Sequence, residues 1–233
     1  MVITRNGKRQ RGHEMDETLR AVLLLLIGWA IGIISTFLND WLQTRREMRK
    51  TQVEREKEIR MRLVGNRIQT SEVMAFIESA RTRNEQPDLS RADLSDVDLR
   101  YQNLQGVKLY RAILDGADLN GATLTGADLS KASLVDAKLY GAKMQRVNLL
   151  NANLSEARMK NADLSEANLE VADLRKAYLK AANLRDADLH EANLDGADLS
   201  GADLRGANLD KAILTNTTLT GTIMPDGTTQ DRA

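Results

Sequence analysis

The chain has 233 residues, with 33 Lys and Arg against 33 Asp and Glu, so its formal net charge at pH 7 is zero. This balance argues against a polybasic nucleic-acid binder and against a wholly acidic mimic, unless the charges are segregated along the chain. Because the sequence has no cysteine and only two histidines, it excludes disulfide scaffolds, thiolate metal sites, cysteine nucleophiles and His-rich metal centres.

The first predicted element is a membrane-spanning helix. Residues 21–38 carry no charge, and a helix of that length spans roughly 27 Å, close to the thickness of a bilayer core. The alternatives are a buried soluble helix and a cleaved signal peptide. The rest of the chain offers no partner core for the first, and the residues after the run make a poor cleavage site for the second. We therefore expect a basic tail at 1–20 and a single-pass anchor at 21–42.

The flanks of the expected anchor predict its orientation. Five Lys or Arg residues lie in 1–20 and eight lie in 43–62. Cationic flanks stay on the cytoplasmic side, so the larger count favours a cytoplasmic repeat domain. Within the anchor, Gly28 and Gly32 form a GxxxG step that permits close helix–helix approach, which makes them candidate anchor-pairing residues. The alternative is that glycines are simply common in membrane helices.

A charged helix is predicted directly after the anchor, over residues 43–66. It contains favourably ordered i,i+4 pairs such as Glu56–Arg60. Its apolar residues keep no heptad, so the helix is read as a solvated spacer rather than as a coiled coil.

A second, shorter helix is predicted within residues 67–85. Its apolar residues recur at helical spacing, at Val73, Phe76, Ile77 and Ala80. Thr70 or Ser71 is expected to cap it. A stack of repeats exposes an apolar end unless something covers it, so we expect this helix to cap the segment that follows.

From residue 87 onward, every fifth residue is long and apolar. The series runs unbroken from Leu89 to Met224 and comprises 25 leucines and three methionines. The residue two places earlier is nearly always small, and the residue between is mostly Asp or Asn, as in Ala127-Asp128-Leu129. A period of five matches neither a helix nor a flat strand. It is satisfied if five residues form one side of a square coil, so that four repeats close a turn.

These A-D/N-L-x-x repeats resemble those of the pentapeptide-repeat family. The resemblance covers residues 87–226 and implies an all-β solenoid, a right-handed quadrilateral parallel β-helix of about seven coils. We place it at 86–226, followed by a polar tail at 227–233. The Asp and Asn before each leucine are expected to serve the turns and the backbone. The family is functionally diverse, so the resemblance implies a fold more directly than a function.

Residues one turn apart stack on the same side, so the sequence can be unwrapped into four faces. The face centred on Leu94 carries a net charge of −5, whereas the next face, centred on Leu99, carries +2 and three of the four tyrosines. We take this second face as the candidate interaction face; the alternative is an uneven scatter of surface charge. Its candidate residues are Arg100, Tyr101, Lys138, Tyr140, Arg158, Lys160, Tyr178 and Lys180.

The leading functional hypothesis is a non-catalytic, membrane-anchored scaffold that presents a rigid rod to an unidentified protein partner. No catalytic, cofactor or metal site is expected. The alternative is a DNA-mimicking modulator of a type II topoisomerase, which some pentapeptide-repeat proteins are; the mixed-sign faces weaken it, and nucleic acid itself is not an expected partner. Because no apolar helix follows Met224 to cover the last coil, a weak end-to-end homodimer is also expected.

Overall fold

The computed structural model describes Gln43, Arg45 and residues 69–230. The expected anchor at 21–42, its Gly28 and Gly32, and the orientation that its flanks predict lie outside the described residues. No helix in the described part of the chain is long and apolar enough to cross a membrane.

Helix α1 runs over Thr70–Thr82 and precedes the repeats. Its N-cap is Gln69, whose backbone N–H donates to the Glu72 carboxylate at 3.4 Å. The expectation that Thr70 or Ser71 caps this helix was therefore wrong. Thr70 is already helical, and its hydroxyl donates instead to the backbone carbonyl of Asp98 in the first coil.

The repeats form a coil in which each side contributes a single parallel bridge to the next turn. The first column of bridges joins Asp88 to Lys108 and Lys108 to Asp128, and the same twenty-residue step continues on all four sides as far as Ile223. The backbone N–H of Leu89 donates to the Lys108 carbonyl at 2.7 Å, and that of Lys108 donates to the Pro87 carbonyl at 2.9 Å. This register confirms the predicted turn of four repeats.

The four corners of each coil are tight turns. In the first one, the Ala92 N–H donates to the Leu89 carbonyl at 3.1 Å, and Arg91 between them has a φ of 64°. A positive φ recurs at the same repeat position around the whole coil, as a type II turn requires. The Asp88 carboxylate accepts a bond from the Ser90 N–H at 3.0 Å, so the acid before the leucine supports the corner, as predicted.

The interior consists of four columns of leucine over small residues. The leucines of these columns, from Leu89 to Leu204, are at most 2% exposed, and the alanines and valines two places before them belong to the same continuous core. Within residues 69–230, every buried side-chain nitrogen or oxygen has a hydrogen-bond partner. Each buried leucine contributes about 2 kcal/mol of transfer free energy, before the entropic cost of ordering it.

The amino-terminal end of the stack is covered by α1. Ile77 is fully buried and joins the leucine core together with Val73 and Phe76. Arg81 donates to the backbone carbonyls of Asn103 at 3.1 Å and of Gln105 at 3.3 Å. The helix therefore shields apolar side chains and also pairs carbonyls that the first coil presents at its free edge.

The carboxyl-terminal end has a smaller closure. Strands β1 (Thr222–Ile223) and β2 (Thr229–Gln230) form an antiparallel hairpin, so the first residues of the expected polar tail are paired. The hydroxyl of Thr222 donates to the Leu199 carbonyl at 2.7 Å. The apolar side chains of the last coil remain only partly buried, at Leu209, Leu214, Leu219 and Met224.

Candidate interaction face

The candidate face is built from two neighbouring columns of outward-pointing side chains. In the bridging column, Lys138, Arg158 and Tyr178 follow one another in consecutive coils. In the column that follows the buried leucines, Tyr140 and Lys160 occupy equivalent positions one turn apart. Because the intervening Leu139, Met159 and Leu179 are buried, the side chains on either side of them are directed outwards.

These two columns enclose a groove, which we call the basic groove. It has a volume of about 570 Å³ and is lined by Asn120, Lys138, Tyr140, Arg158, Lys160 and Tyr178. Tyr140 and Tyr178 are 52% and 53% exposed, so each presents much of its ring to solvent. The groove therefore combines cationic groups, an amide and two accessible aromatic rings on a rigid backbone.

The structure brings five of the eight predicted residues together in the basic groove and leaves Arg100, Tyr101 and Lys180 out of its lining. Lys180 lies one coil beyond Lys160 in the same column and extends the cationic surface. The ring of Tyr101 lies over Gly121 of the next coil, where an added Cβ would come within 2.6 Å of the ring.

Arg100 is held by a neighbouring carboxylate. Its Nε and Nη2 donate to the two Asp98 oxygens at 2.9 and 2.6 Å. These side-chain hydrogen bonds lower the pKa of Asp98 to about 2, with help from the Arg100 backbone N–H. The charge of Arg100 is consequently balanced at neutral pH and contributes little attraction for a partner.

Asn120 is the groove residue that the sequence did not reveal. Its Oδ1 accepts a hydrogen bond from the Tyr140 backbone N–H at 2.8 Å, and the Tyr140 hydroxyl accepts one from Asn161 Nδ2 at 3.2 Å. Both bonds cross from one coil to the next and hold Tyr140 in place. The only sequence signal was that Asn120 precedes Tyr140 by one turn.

Two of the cations in the groove have acidic neighbours. The Nζ of Lys138 lies 4.0 Å from the Asp118 carboxylate. The Nη2 and Nε of Arg158 lie 3.1 and 3.2 Å from Asp136 Oδ1, at the corner shared with the acidic face. These pairs are exposed, so they orient the cations more than they stabilise the fold.

Lys160 and Lys180 differ from Lys138 and Arg158 because neither forms an ion pair with any of residues 69–230. Both are exposed and stand one coil apart in the same column. They are the free positive charges of the candidate face.

The lining offers groups that can bind a ligand through hydrogen bonds and charge. The groove carries amide, ammonium, guanidinium and phenol groups, and no carboxylate or imidazole lines it. Across residues 69–230, no three His, Asp or Glu side chains are grouped so that they could hold a metal ion.

The comparisons with known proteins agree with this fold. A model of pentapeptide repeats matches eight copies, over residues 92–130, 132–170, 172–210 and 187–224. No curated protein is similar enough in sequence to be matched.

Several solved structures resemble the chain. Full-length QnrB1, a plasmid-mediated fluoroquinolone resistance protein, is 24% identical over 62% of this chain and 78% of its own, with a TM-score of 0.55. A trypsin-treated variant of QnrB1 is 26% identical over 57% of this chain and 69% of its own, with a TM-score of 0.53. HetL from Nostoc sp. strain PCC 7120, a pentapeptide-repeat protein involved in heterocyst differentiation regulation, is 31% identical over 70% of this chain and all of its own, with a TM-score of 0.35.

The QnrB1 structures share the right-handed β-helix, which gives the hand of the present coil. The family model spans more than half of the sequence, in the same segment where the bridges recur every twenty residues. On this evidence, the chain belongs to the pentapeptide-repeat family.

Proposed function

We propose that this protein is a non-catalytic interaction module whose rigid β-helix presents the basic groove to a protein partner. In this proposal, the segment at 21–42, whose residues 21–38 carry no charge, anchors the chain in a membrane as a single span, and the repeat domain faces the cytoplasm.

The observation that carries the proposal is the accessibility of the groove side chains on a backbone whose successive coils are joined by hydrogen bonds. Tyr140 and Tyr178 are about half exposed, and Lys160 has no acidic neighbour among the described residues. Tyrosine and arginine are enriched at protein interfaces, and tyrosine offers a large contact area at a low cost in conformational entropy. A rigid scaffold lowers the entropic cost of binding further.

Site-specific photo-crosslinking in cells tests the proposed face. A photoreactive phenylalanine analogue would replace Tyr140, and in a matched control it would replace Tyr110, whose ring lies beneath the Arg111 guanidinium on another face. We expect a discrete protein adduct from position 140 that position 110 does not give. Equal labelling at both positions, or no adduct at 140, would contradict the proposal.

Extraction of membranes tests the anchor separately. The full-length chain should stay with the membrane fraction in carbonate or high salt and require detergent for release, whereas residues 67–233 should be soluble. Release of the full-length chain by carbonate alone would rule out a spanning helix.

A second candidate, a DNA-mimicking modulator of a type II topoisomerase, draws support from the acidic face centred on Leu94 and from the structural similarity to QnrB1. It is the weaker proposal, because the neighbouring face is basic. Inhibition of DNA supercoiling by residues 67–233, which is lost when carboxylates of the acidic face are replaced by amides, would favour it over the scaffold.

A further inference from the structure

We propose that the ligand of the basic groove is a short acidic peptide segment of the partner protein, bound in an extended conformation beside Tyr140 and Tyr178. This inference rests on the proposed function and deepens it, because it assigns a chemical class to the partner's docking segment. Carboxylates of the segment would bind the free ammonium groups of Lys160 and Lys180 and the outer nitrogens of Arg158.

The basic groove carries an excess of positive charge. Its lining contains three cations and no carboxylate. Lys160 is not neutralised by any of residues 69–230, and Lys180 adds a second such charge one coil away. A ligand that brings negative charge therefore gains attraction without breaking an existing ion pair at either lysine.

The cationic surface that the basic groove and Lys180 form together is short. It extends from Lys138 to Lys180 over three consecutive coils, a distance of about 10 Å at the spacing of paired strands. An extended peptide advances about 3.3 Å per residue, so three or four residues cover the surface. The two tyrosine rings would pack against the backbone and the aliphatic parts of such a segment.

The cationic surface has an aspartate beyond each of its two ends. In the bridging column, Asp118 lies one coil before Lys138, and Asp198 lies one coil after Tyr178. The phosphate backbone of a nucleic acid that continued along the rod would meet these carboxylates, and repulsion would oppose its binding. A segment that ends within three coils avoids both of them.

The acidic face of a second copy is a poorer occupant than a peptide, because several of its carboxylates already have partners. Asp115 accepts bonds from the Ser133 hydroxyl at 2.6 Å and the Val135 N–H at 3.0 Å. Asp173 is paired with Arg175, whose guanidinium donates to both carboxylate oxygens. Docking this face would disrupt hydrogen bonds that hold its own coils together.

Fluorescence anisotropy with the purified full-length chain tests the inference. The probe is a fluorescein-labelled hexaglutamate peptide, compared with a hexalysine peptide and a six-nucleotide thymidine strand under the same conditions. We expect saturable binding of hexaglutamate that weakens as salt increases, and hexalysine should not occupy the basic groove, because the acidic face that attracts it lies on another side of the rod. Tighter binding of the thymidine strand than of hexaglutamate would overturn the inference in favour of a nucleic acid.

The double variant Lys160→Glu, Lys180→Glu should weaken hexaglutamate binding by about tenfold or more, because both free charges are reversed. The matched control is Lys131→Glu, Arg185→Glu, which changes the net charge equally on other parts of the rod and should leave the affinity unchanged. All four side chains are exposed, so both variants should fold, which circular dichroism checks. Equal weakening by the two variants would overturn the inference.

The two proposals fail in different ways. If hexaglutamate does not bind while the adduct at position 140 persists, the groove contacts a protein through other chemistry, and the inference is wrong although the proposed function stands. If hexaglutamate binds at the groove but no cellular adduct forms at position 140, the proposed function is wrong.

Discussion

The residue two places after each buried leucine adopts the backbone conformation that costs the coil the most free energy. Its φ is positive at the corners from Arg91 to Gly221, a conformation that glycine and asparagine adopt more readily than other residues. Many corners hold glycine or asparagine, but Val171 adopts a φ of 57° with a β-branched side chain that is 41% exposed. Little burial offsets the strain there, so Val171 is a local weak point.

Replacing Val171 with asparagine should therefore stabilise the protein by about 1 kcal/mol, because asparagine tolerates the left-handed region. The backbone bond from the N–H at 171 to the His190 carbonyl, 2.8 Å long, does not depend on the side chain. The midpoint of urea unfolding measures the change. The reverse substitution one coil earlier, Asn151→Val, serves as the control and should lower the midpoint by a similar amount, since Asn151 has the same φ of 57°. A lower midpoint for Val171→Asn, or a higher midpoint for Asn151→Val, would show that backbone strain at this position does not limit stability.

At the scale of the element, each coil is stabilised by its two neighbours. Leu149 is fully buried within the stack, whereas Leu219 in the last coil is only partly buried. In a solenoid, interior coils gain interface free energy on both sides and terminal coils on one. A leucine at the same repeat position therefore contributes more to the free energy of unfolding in an interior coil than in a terminal coil.

We expect Leu149→Ala to lower the free energy of unfolding by about 2–5 kcal/mol, because a rigid stack collapses poorly around a cavity. Leu219→Ala should cost clearly less, since its side chain already contacts solvent. Denaturant unfolding of the two variants side by side measures the difference. Equal losses would mean that the coils do not stack in the order that the bridges give.

At the scale of the whole molecule, folding lowers the pKa of seven carboxylates of the repeat domain. The pKa lies below its ordinary value for Asp98, Asp163, Glu166, Asp173, Glu191, Asp203 and Asp226. In most of them the largest cause is a side-chain hydrogen bond. At Asp163 burial raises the pKa, but bonds from Ser165, Gln145 and Asn183 outweigh it.

A group whose pKa is lowered by folding stabilises the folded state when it is ionised, so its contribution is lost on protonation. The melting temperature should therefore be nearly constant above pH 5 and should fall as the pH decreases, with the contribution of Asp98 lost as the pH approaches about 2. Thermal melts between pH 7 and pH 2 measure this. In Asp98→Asn, the acid-induced fall should be smaller; an unchanged fall would show that the Asp98–Arg100 pair does not contribute to it.

The two ends of the rod differ, and this difference bears on assembly. Helix α1 covers the first coil, whereas within residues 69–230 the last coil is closed by a hairpin of two two-residue strands and by threonine hydroxyls. Leu214, Leu219 and Met224 remain partly accessible, which is apolar surface that a second copy could bury.

We expect residues 67–233, which lack the proposed anchor, to form a weak dimer through this end. Light scattering at increasing concentration measures the association. Leu219→Glu should abolish it, because the dimer would bury a charge, and Lys108→Glu, on a side face, should not. A strict monomer of the unmutated segment at high concentration would contradict the prediction.

The period of the sequence was sufficient to predict the coil. Leucines that recur every five residues, each with a small residue two places before it, can all be buried only if the chain turns at regular corners. The register and the four faces therefore followed from the pattern. The same reasoning placed Tyr140 and Tyr178 on one face. All of these properties depend on local, repeated geometry, which one chain carries in its own periodicity.

Only the tertiary structure decided which groups on that face are available. Asp98 neutralises Arg100 from two residues earlier, so the sequence already contained this local pair. No described residue neutralises Lys160, which only the fold shows. Arg158 reaches Asp136 twenty-two residues earlier, across a coil and a corner, and Asn120 joins the groove only through the fold. The physical reason is that periodicity sets where each Cβ points, whereas side-chain pairing between coils depends on rotamers and on neighbours from adjacent coils, which a local pattern does not encode.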